Sequence, residues 1–333
     1  LTNVEIEQLF TLIRALKAKG VGIIYISHRL EELQHIVDTV TIMRDGRFIV
    51  EKPFADLTMN QIISYMVGRE IKEKFPRIET DRKAKRFSVS NLHAGPMVRN
   101  ISFDLYEGEI LGIAGLMGAG RTETSRAIFG ADPKTTGTIT LNGKEVSINH
   151  PNDAIVHGIV LAPEDRKKDG LCTKLSIREN IALPNLDLIT SRFGIINRKK
   201  EAQLVAKVVK DLHVKLASIE SDAAALSGGN QQKVVVGKWL ARESKVVIFD
   251  EPTRGIDVAA KVEIYHLMNE LKAKGIAVLF ISSEMPEILG IADRILVMCD
   301  GRVTGELMRE EATQERIMEL ATQFENKFEI GTL

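Results

Sequence analysis

An apolar run of strand length, Ile110–Ala114, leads into Gly115-Leu116-Met117-Gly118-Ala119-Gly120-Arg121-Thr122, and a helical stretch follows to Phe129. That order is what a phosphate-cradling loop requires. Glycines at 115, 118 and 120 let backbone N–H groups turn inward, and the helix N-terminus adds a favourable field for an anion. Arg121 stands where the usual loop has lysine before Ser/Thr. Lysine is a compact point charge, whereas arginine is a longer planar fork that need not reach the same phosphate oxygens. Glu123, in the first helical turn, suits the helix dipole and is expected to offset part of the field meant for phosphate.

A second apolar run, Lys245–Phe249, ends in Asp250-Glu251. Two carboxylates at a strand end, downstream of a phosphate loop, suit a metal ligand (Asp250) and a general base for water (Glu251). Taken alone, such a pair is more often a helix cap or a solvated turn. The third stretch is Leu226-Ser227-Gly228-Gly229-Asn230-Gln231-Gln232-Lys233. A serine hydroxyl and two glycines opening a helix, expected over Gln231–Ala241, make a second anion nest. A Ser-capped helix would explain Ser227 but not both glycines.

The order of phosphate loop, SGGNQQK, strand with Asp-Glu, Pro252-Thr253-Arg254-Gly255-Ile256-Asp257 and Ile281–Glu287 resembles the ABC ATPases. More narrowly it is similar to the two-domain ATP-binding subunit of bacterial monosaccharide importers (the ribose, galactose, arabinose and xylose class), over essentially the whole chain. The resemblance implies an α/β fold, with a mixed-sheet core and a helical subdomain, that binds ATP and Mg2+. It implies that Gly115, Gly118, Gly120, Arg121, Thr122 and Glu123 surround the nucleotide phosphates, with Thr122 and Asp250 on the metal. Ser227, Gly228, Gly229 and Gln231 would form the signature that meets a nucleotide held by an opposed domain. Asp257 falls at the D-loop, with Thr2 at the matching place upstream. Glu164 takes the Q-loop position, usually glutamine, and can still approach a metal. His28 falls at the switch histidine, and Ser283 replaces it in the second copy, where a hydroxyl cannot share imidazole's reach or ionisation. No ring matches the adenine platform clearly, His93 being nearest. Glu251, His28 and Ser283 are therefore the expected catalytic set.

In such proteins the two domains pair head to tail, so each ATP lies between one phosphate loop and the other domain's signature. One pocket would use Arg121, Glu164, Glu251 and Ser283, three of them off pattern, and is expected to turn over slowly or not at all. The other would use His28 and Ser227-Gly228-Gly229, and should be competent. The expected partners are an integral-membrane sugar permease and, indirectly, an external sugar-binding protein, with a peripheral location on the cytoplasmic face of the membrane. Two alternatives are a non-hydrolysing regulatory module and a soluble, non-transport ABC ATPase. The latter would show long heptads or a strongly basic linker.

The elements that must position these residues are repeated. Aligned at an offset of 255, Leu1–Arg47 and Ile256–Arg302 share fifteen identities, among them Leu16–Gly20 on Leu271–Gly275 and Asp45–Arg47 on Asp300–Arg302. Each copy reads as helix, strand, helix, strand, tight turn, strand. Thr2 and Glu5 form a capping-box pattern, Val21–Ile26 and Ile276–Ile281 are all-apolar strands for a sheet buried on both faces, and the Asp-Gly pairs are hairpin turns. The first copy is expected to be the tail of a longer domain, residues 1–67. Charged, aperiodic 68–86 reads as a linker, 87–322 as the second nucleotide-binding domain with a helical insert over about 165–225, and 323–333 as a tail.

Composition narrows the class further. Forty-five Lys plus Arg balance forty-five Asp plus Glu, so binding nucleic acid through a bulk basic field is disfavoured. No apolar run approaches the ~18–20 residues that span a bilayer. Two cysteines, Cys172 and Cys299, without a CxxC pair, fit neither a disulfide framework nor a zinc site.

Overall fold

The computed structural model describes residues 3–26, 30–44, 46–67, 75–242 and 244–324. Two compact units emerge, Leu1–Lys74 with Asp257–Ala259, and Phe75–Ile256 with Ala260–Leu333. The first unit contains helix α1 (Asn3–Ala18), helix α2 (Leu30–Ile36), strands β1 (Thr39–Arg44) and β2 (Arg47–Pro53), and helix α3 (Met59–Val67). Its core gathers Leu33, Ile42, Leu57, Ile62 and Ile63. Val21–Ile26 is not a strand: among the described residues it joins no sheet, and Ile24 and Ile26 are each 92% exposed. An all-apolar strand needs neighbours on both edges, and the described part of this unit offers it none. Thr2, of the expected capping box, lies outside the described residues.

The second unit opens with strands β3 (Lys85–Ala94), β4 (Val98–Tyr106) and β5 (Ile110–Gly115), then helix α4 (Arg121–Phe129). Strands β6 (Thr136–Leu141) and β7 (Lys144–Glu145), helix α5 (Pro151–His157) and strand β8 (Ile159–Ala162) follow. The helical insert comprises α6 (Ile177–Ala182), α7 (Leu186–Ile189) and α8 (Arg198–Asp211), and leads to α9 (Gly228–Leu240). Strand β9 (Val246–Asp250), helix α10 (Val258–Ala273), strand β10 (Ala277–Ile281) and helix α11 (Met285–Ile291) precede the hairpin β11 (Arg294–Cys299) and β12 (Arg302–Met308), and α12 (Gln314–Ala321) ends the unit. The bounds of α10, α11, β11 and β12 equal those of α1, α2, β1 and β2 plus 255. Asp300 and Gly301 both have positive φ, 47° and 73°, as a type I′ hairpin demands.

Six strands order as β12-β11-β5-β10-β9-β8, parallel except for β12, and a four-stranded antiparallel sheet orders as β4-β3-β6-β7. The expected mixed-sheet α/β core is therefore present. One core joins the two sheets, with Phe87, Leu92, Ile101 and Leu105 against Leu111, Ile113, Ile248 and Leu279. Within the insert, Val205 and Val208 are buried, and Val208 with Leu212 closes over Gly237 of α9, where a Cβ would meet Val208 Cγ1 at 2.5 Å.

The stretch expected as a linker is docked from Phe75 onward. Asn269 donates to the Pro76 carbonyl at 2.7 Å and accepts from Ile78 N–H at 3.0 Å. Lys272 Nζ reaches both the Ile78 carbonyl (2.8 Å) and Asp293 (2.7 Å). The first unit repeats that ion pair as Lys17–Asp38 at 2.5 Å, but there the two side chains are 52% and 73% exposed, against 1% and 20% for Lys272 and Asp293. Arg77 joins the same Asp293 at 3.1 Å, a docking role that a charged, aperiodic sequence conceals.

Candidate functional site

Parallel strands bring their C-terminal ends to one edge, the usual place for a ligand in such sheets. Here Gly115, Asp250 and Ile281 end β5, β9 and β10. Between β5 and α4 the chain turns through positive φ at Gly115, Gly118 and Gly120 (156°, 80° and 92°). A Cβ at Gly115 would stand 2.5 Å from the Met298 carbonyl and one at Gly120 2.1 Å from that of Met97, whereas Gly118 faces open space. Two glycines therefore seat the loop, and the third leaves its concave side clear.

Asp250 is buried and accepts from Thr122 Oγ1 at 3.1 Å and Ser125 Oγ at 2.9 Å. Burial pushes its carboxyl up to about 6, partly opposed by those two hydroxyls. Thr122 Oγ1 also lies 3.4 Å from Glu164 Oε2. Hydroxyl and carboxylate oxygens on one spot are the hard donor set that Mg2+ takes, and a buried carboxylate bonded to hydroxyls would gain from a cation there. Among the described residues no cluster of three His, Cys, Asp or Glu could hold a metal, and Mg2+ needs none, since water and phosphate oxygens commonly fill most of its shell.

Glu251 adopts φ 46°, the left-handed region, with its N–H donating to the Ile281 carbonyl at 3.0 Å. Outside turns, backbone strain of this kind clusters at functional sites. Its carboxylate accepts from Ser283 Oγ at 3.1 Å and lies 3.7 Å from Arg121 Nη2. Burial raises its pKa, against the lowering effects of Ser283 and Arg121. Arg121 donates from Nη1 to the Ser282 carbonyl at 2.8 Å and is buried. Its fork thus points at the loop after β10 and at Glu251. Glu164 pairs with the Arg254 guanidinium.

A model of the family described as ABC transporter matches residues 98–254, which contain both the phosphate loop and Asp250-Glu251. Residues 98–254 form an ABC ATPase domain. The xylose import ATP-binding protein of Thermoanaerobacter pseudethanolicus is 51% identical over 97% of the chain and 65% of its own length. The ribose import ATP-binding protein of Bacillus licheniformis is 50% identical, with the same two coverages. The chain spans about 64–65% of the length of such relatives. In fold, a nucleotide-free ATP-binding cassette from an ABC transporter superposes with TM-score 0.60 at 22% identity, over 71% of this chain and 98% of that one. A post-hydrolysis dimer of another cassette, bound to ADP and Pi, gives 0.57 at 20% identity, over 67% and 98%.

In this ABC domain Thr122, Glu164, Asp250, Glu251, Ser283 and Arg121 come together, while exposed Glu123 stays in the first turn of α4. The signature differs from expectation: α9 starts at Gly228, not Gln231. Ser227 stands at the N-cap, yet its hydroxyl makes no capping bond and instead accepts from Asn230 Nδ2 at 2.9 Å. Gln231 is buried, accepting from Arg166 Nε at 3.3 Å and donating to the Ala223 carbonyl at 3.2 Å. Its amide is thus engaged inside the domain on both its oxygen and its nitrogen. Asp257 immediately precedes α10, and His28 lies outside the described residues. Sequence reasoning missed Ser125, although it stands one helical turn from Thr122 and so shares its face. Missed too were Arg166 and Glu287.

Just outside the site, Lys238 of α9 donates to the Gly170 carbonyl, and its ammonium sits 4.8 Å from the Trp239 ring. Burial brings its pKa down to about 8. Folded protein therefore holds this proton less tightly than the unfolded chain, whose lysine titrates near 10.5. Between those values the unfolded state binds more protons, and stability rises with pH. Urea unfolding at pH 7.5 and pH 10 should show a gain of about 2–3 kcal/mol that Lys238→Met lacks. An equal pH response in both proteins would exclude Lys238 as its source.

Proposed function

We propose that the chain carries the end of one nucleotide-binding domain, residues 1–67, and all of a second, 87–322, from the ATP-binding subunit of a monosaccharide importer. The cluster of Thr122, Asp250, Glu251 and Ser283 at the strand ends carries this reading, and the sugar-import names of relatives at about half identity support the cargo class. Backbone N–H groups of 118–122 hold the nucleotide phosphates. Thr122 and Asp250 hold Mg2+ with Glu164 nearby, and the ion would neutralise charge on the transferring phosphoryl group. Glu251 takes the proton of an attacking water, oriented by Ser283.

The signature, Ser227-Gly228-Gly229, serves the opposed domain, whose switch residue is His28, and Asp257 stands at the seam. A membrane permease docks on the helical insert, whose Leu183, Leu186, Phe193 and Ile195 are exposed. Sugar recognition lies with that permease and an external binding protein, and the subunit sits peripherally on the cytoplasmic side. Among the described residues no helix is long and apolar enough to cross a membrane. Sugar-stimulated ATPase of the full-length protein with its permease tests the whole assignment; turnover indifferent to both sugar and permease would end it.

The pocket built on this domain's own phosphate loop hydrolyses slowly, because Arg121 is tied to the Ser282 carbonyl and screens Glu251 instead of reaching forward. Arg121→Lys with Ser283→His should free the base and add an imidazole. Placement of one transition-state donor is commonly worth ~10²–10³ in rate, so a gain of roughly tenfold at this pocket is expected. Turnover would be read with the other pocket disabled, and no gain would show that Arg121 is not what limits it.

A further inference from the structure

Two residues beyond Glu164 a single π-helical turn, Arg166–Gly170, breaks the chain between β8 and the insert, and Asp165 caps it by accepting from Lys167 and Lys168 N–H. Such turns concentrate at functional places. Arg166 sends one planar fork to three acceptors in two separate segments. Nε donates to Gln231 of α9 at 3.3 Å, Nη1 to the Arg254 carbonyl at 2.8 Å, and Nη2 to the Gly255 carbonyl at 3.3 Å. The same Nη2 lies 2.9 Å from where a Cβ on Gly228 would stand, so the signature's first glycine makes room for it. All three acceptors are neutral. From the other side, Glu164 holds the guanidinium of Arg254. A three-residue stretch thus grips the loop after β9 by backbone and by side chain. The far end of the π turn is bonded to α9 as well, through Lys238 and the Gly170 carbonyl.

We propose that Arg166 is a positioning residue that locks the Q-loop, the signature turn and the loop leading to Asp257 into one body, so that all three meet the opposed domain together. The proposal rests on the reading that ATP is hydrolysed between two domains. Arginine suits the task because its fork is rigid and offers donors to adjacent carbonyls at once, which the single ammonium of lysine does not. Nucleotide affinity, set by the phosphate loop, should be untouched.

In the full-length protein with its permease, Arg166→Ala should lower kcat at least tenfold while KM for ATP stays within about twofold. Arg166→Lys should fall between the two. In the present chain, hydrogen exchange of Arg166→Lys should quicken in both 226–232 and 252–257, a paired response that a purely local structural role would not produce. A kcat within twofold of wild type, or exchange altered in one segment only, would overturn the proposal. Ser227→Arg separates the failures. If it abolishes turnover while Arg166→Ala does not, the positioning role alone is wrong; if it leaves turnover intact, the two-domain pocket itself is wrong.

Discussion

Glu287→Ala is expected to destabilise the second unit by about 3–5 kcal/mol, the usual result of removing one partner from a buried charge network. Glu287 is 1% exposed and accepts four hydrogen bonds. Tyr265 Oη and Lys261 Nζ reach one oxygen at 2.7 and 2.9 Å, and Thr253 Oγ1 and Ser282 Oγ reach the other at 2.7 and 2.8 Å. Burial raises the Tyr265 pKa, and the neighbouring Glu287 charge raises it further. Alanine would leave three buried hydroxyls without their acceptor, each worth about 1–3 kcal/mol. Lys261 would fare better, since it also pairs with Glu284 at 2.5 Å. Glu287→Gln should cost about 1–2 kcal/mol, because the Thr253 and Ser282 hydroxyls can turn to accept from an amide. Urea unfolding followed by Trp239 fluorescence measures both, and an alanine cost below about 1 kcal/mol would refute the network's role. The effect should reach the site, since the Ser282 carbonyl anchors Arg121.

That network shows where sequence reasoning stopped. The repeat at offset 255, the hairpin turns and the strand–loop–helix around Arg121 were legible because each is local, with its period and turn chemistry written in adjacent residues. Glu287 was visible only as part of a motif. Its meaning depends on Thr253, Tyr265 and Ser282, which the fold collects from the loops after β9 and β10 and from α10. Arg121 could be marked as off pattern, but its direction is set by a carbonyl 161 residues away. Val21–Ile26 failed for a related reason: an apolar run becomes a strand only when neighbours pair with it. The sequence places the start of α9 three residues late, because two glycines argue locally against helix and only their tertiary neighbours argue for it.

Those neighbours make Gly229→Ala the sharpest test of the signature. An added Cβ would stand 2.4 Å from the Cβ of Ala260, on α10, with no flexible atom to yield. Either α9 withdraws its first turn or the two helices part, and both displace the N–H groups that the opposed domain's nucleotide would meet. Overpacking of this kind costs about 1–3 kcal/mol, and in the full-length protein turnover should fall by about 10²-fold, as for loss of a phosphate-binding donor. Gly228→Ala should be milder in stability, because its Cβ first meets Arg166 Nη2, the end of a long side chain. Ala260→Gly removes the obstructing atom. The pair Gly229→Ala with Ala260→Gly should therefore recover much of the lost turnover, even though glycine in a helix interior costs about 1 kcal/mol. A double-mutant cycle should return a coupling of roughly 1–2 kcal/mol. Additive effects would mean that Gly229 is required for something other than its approach to α10.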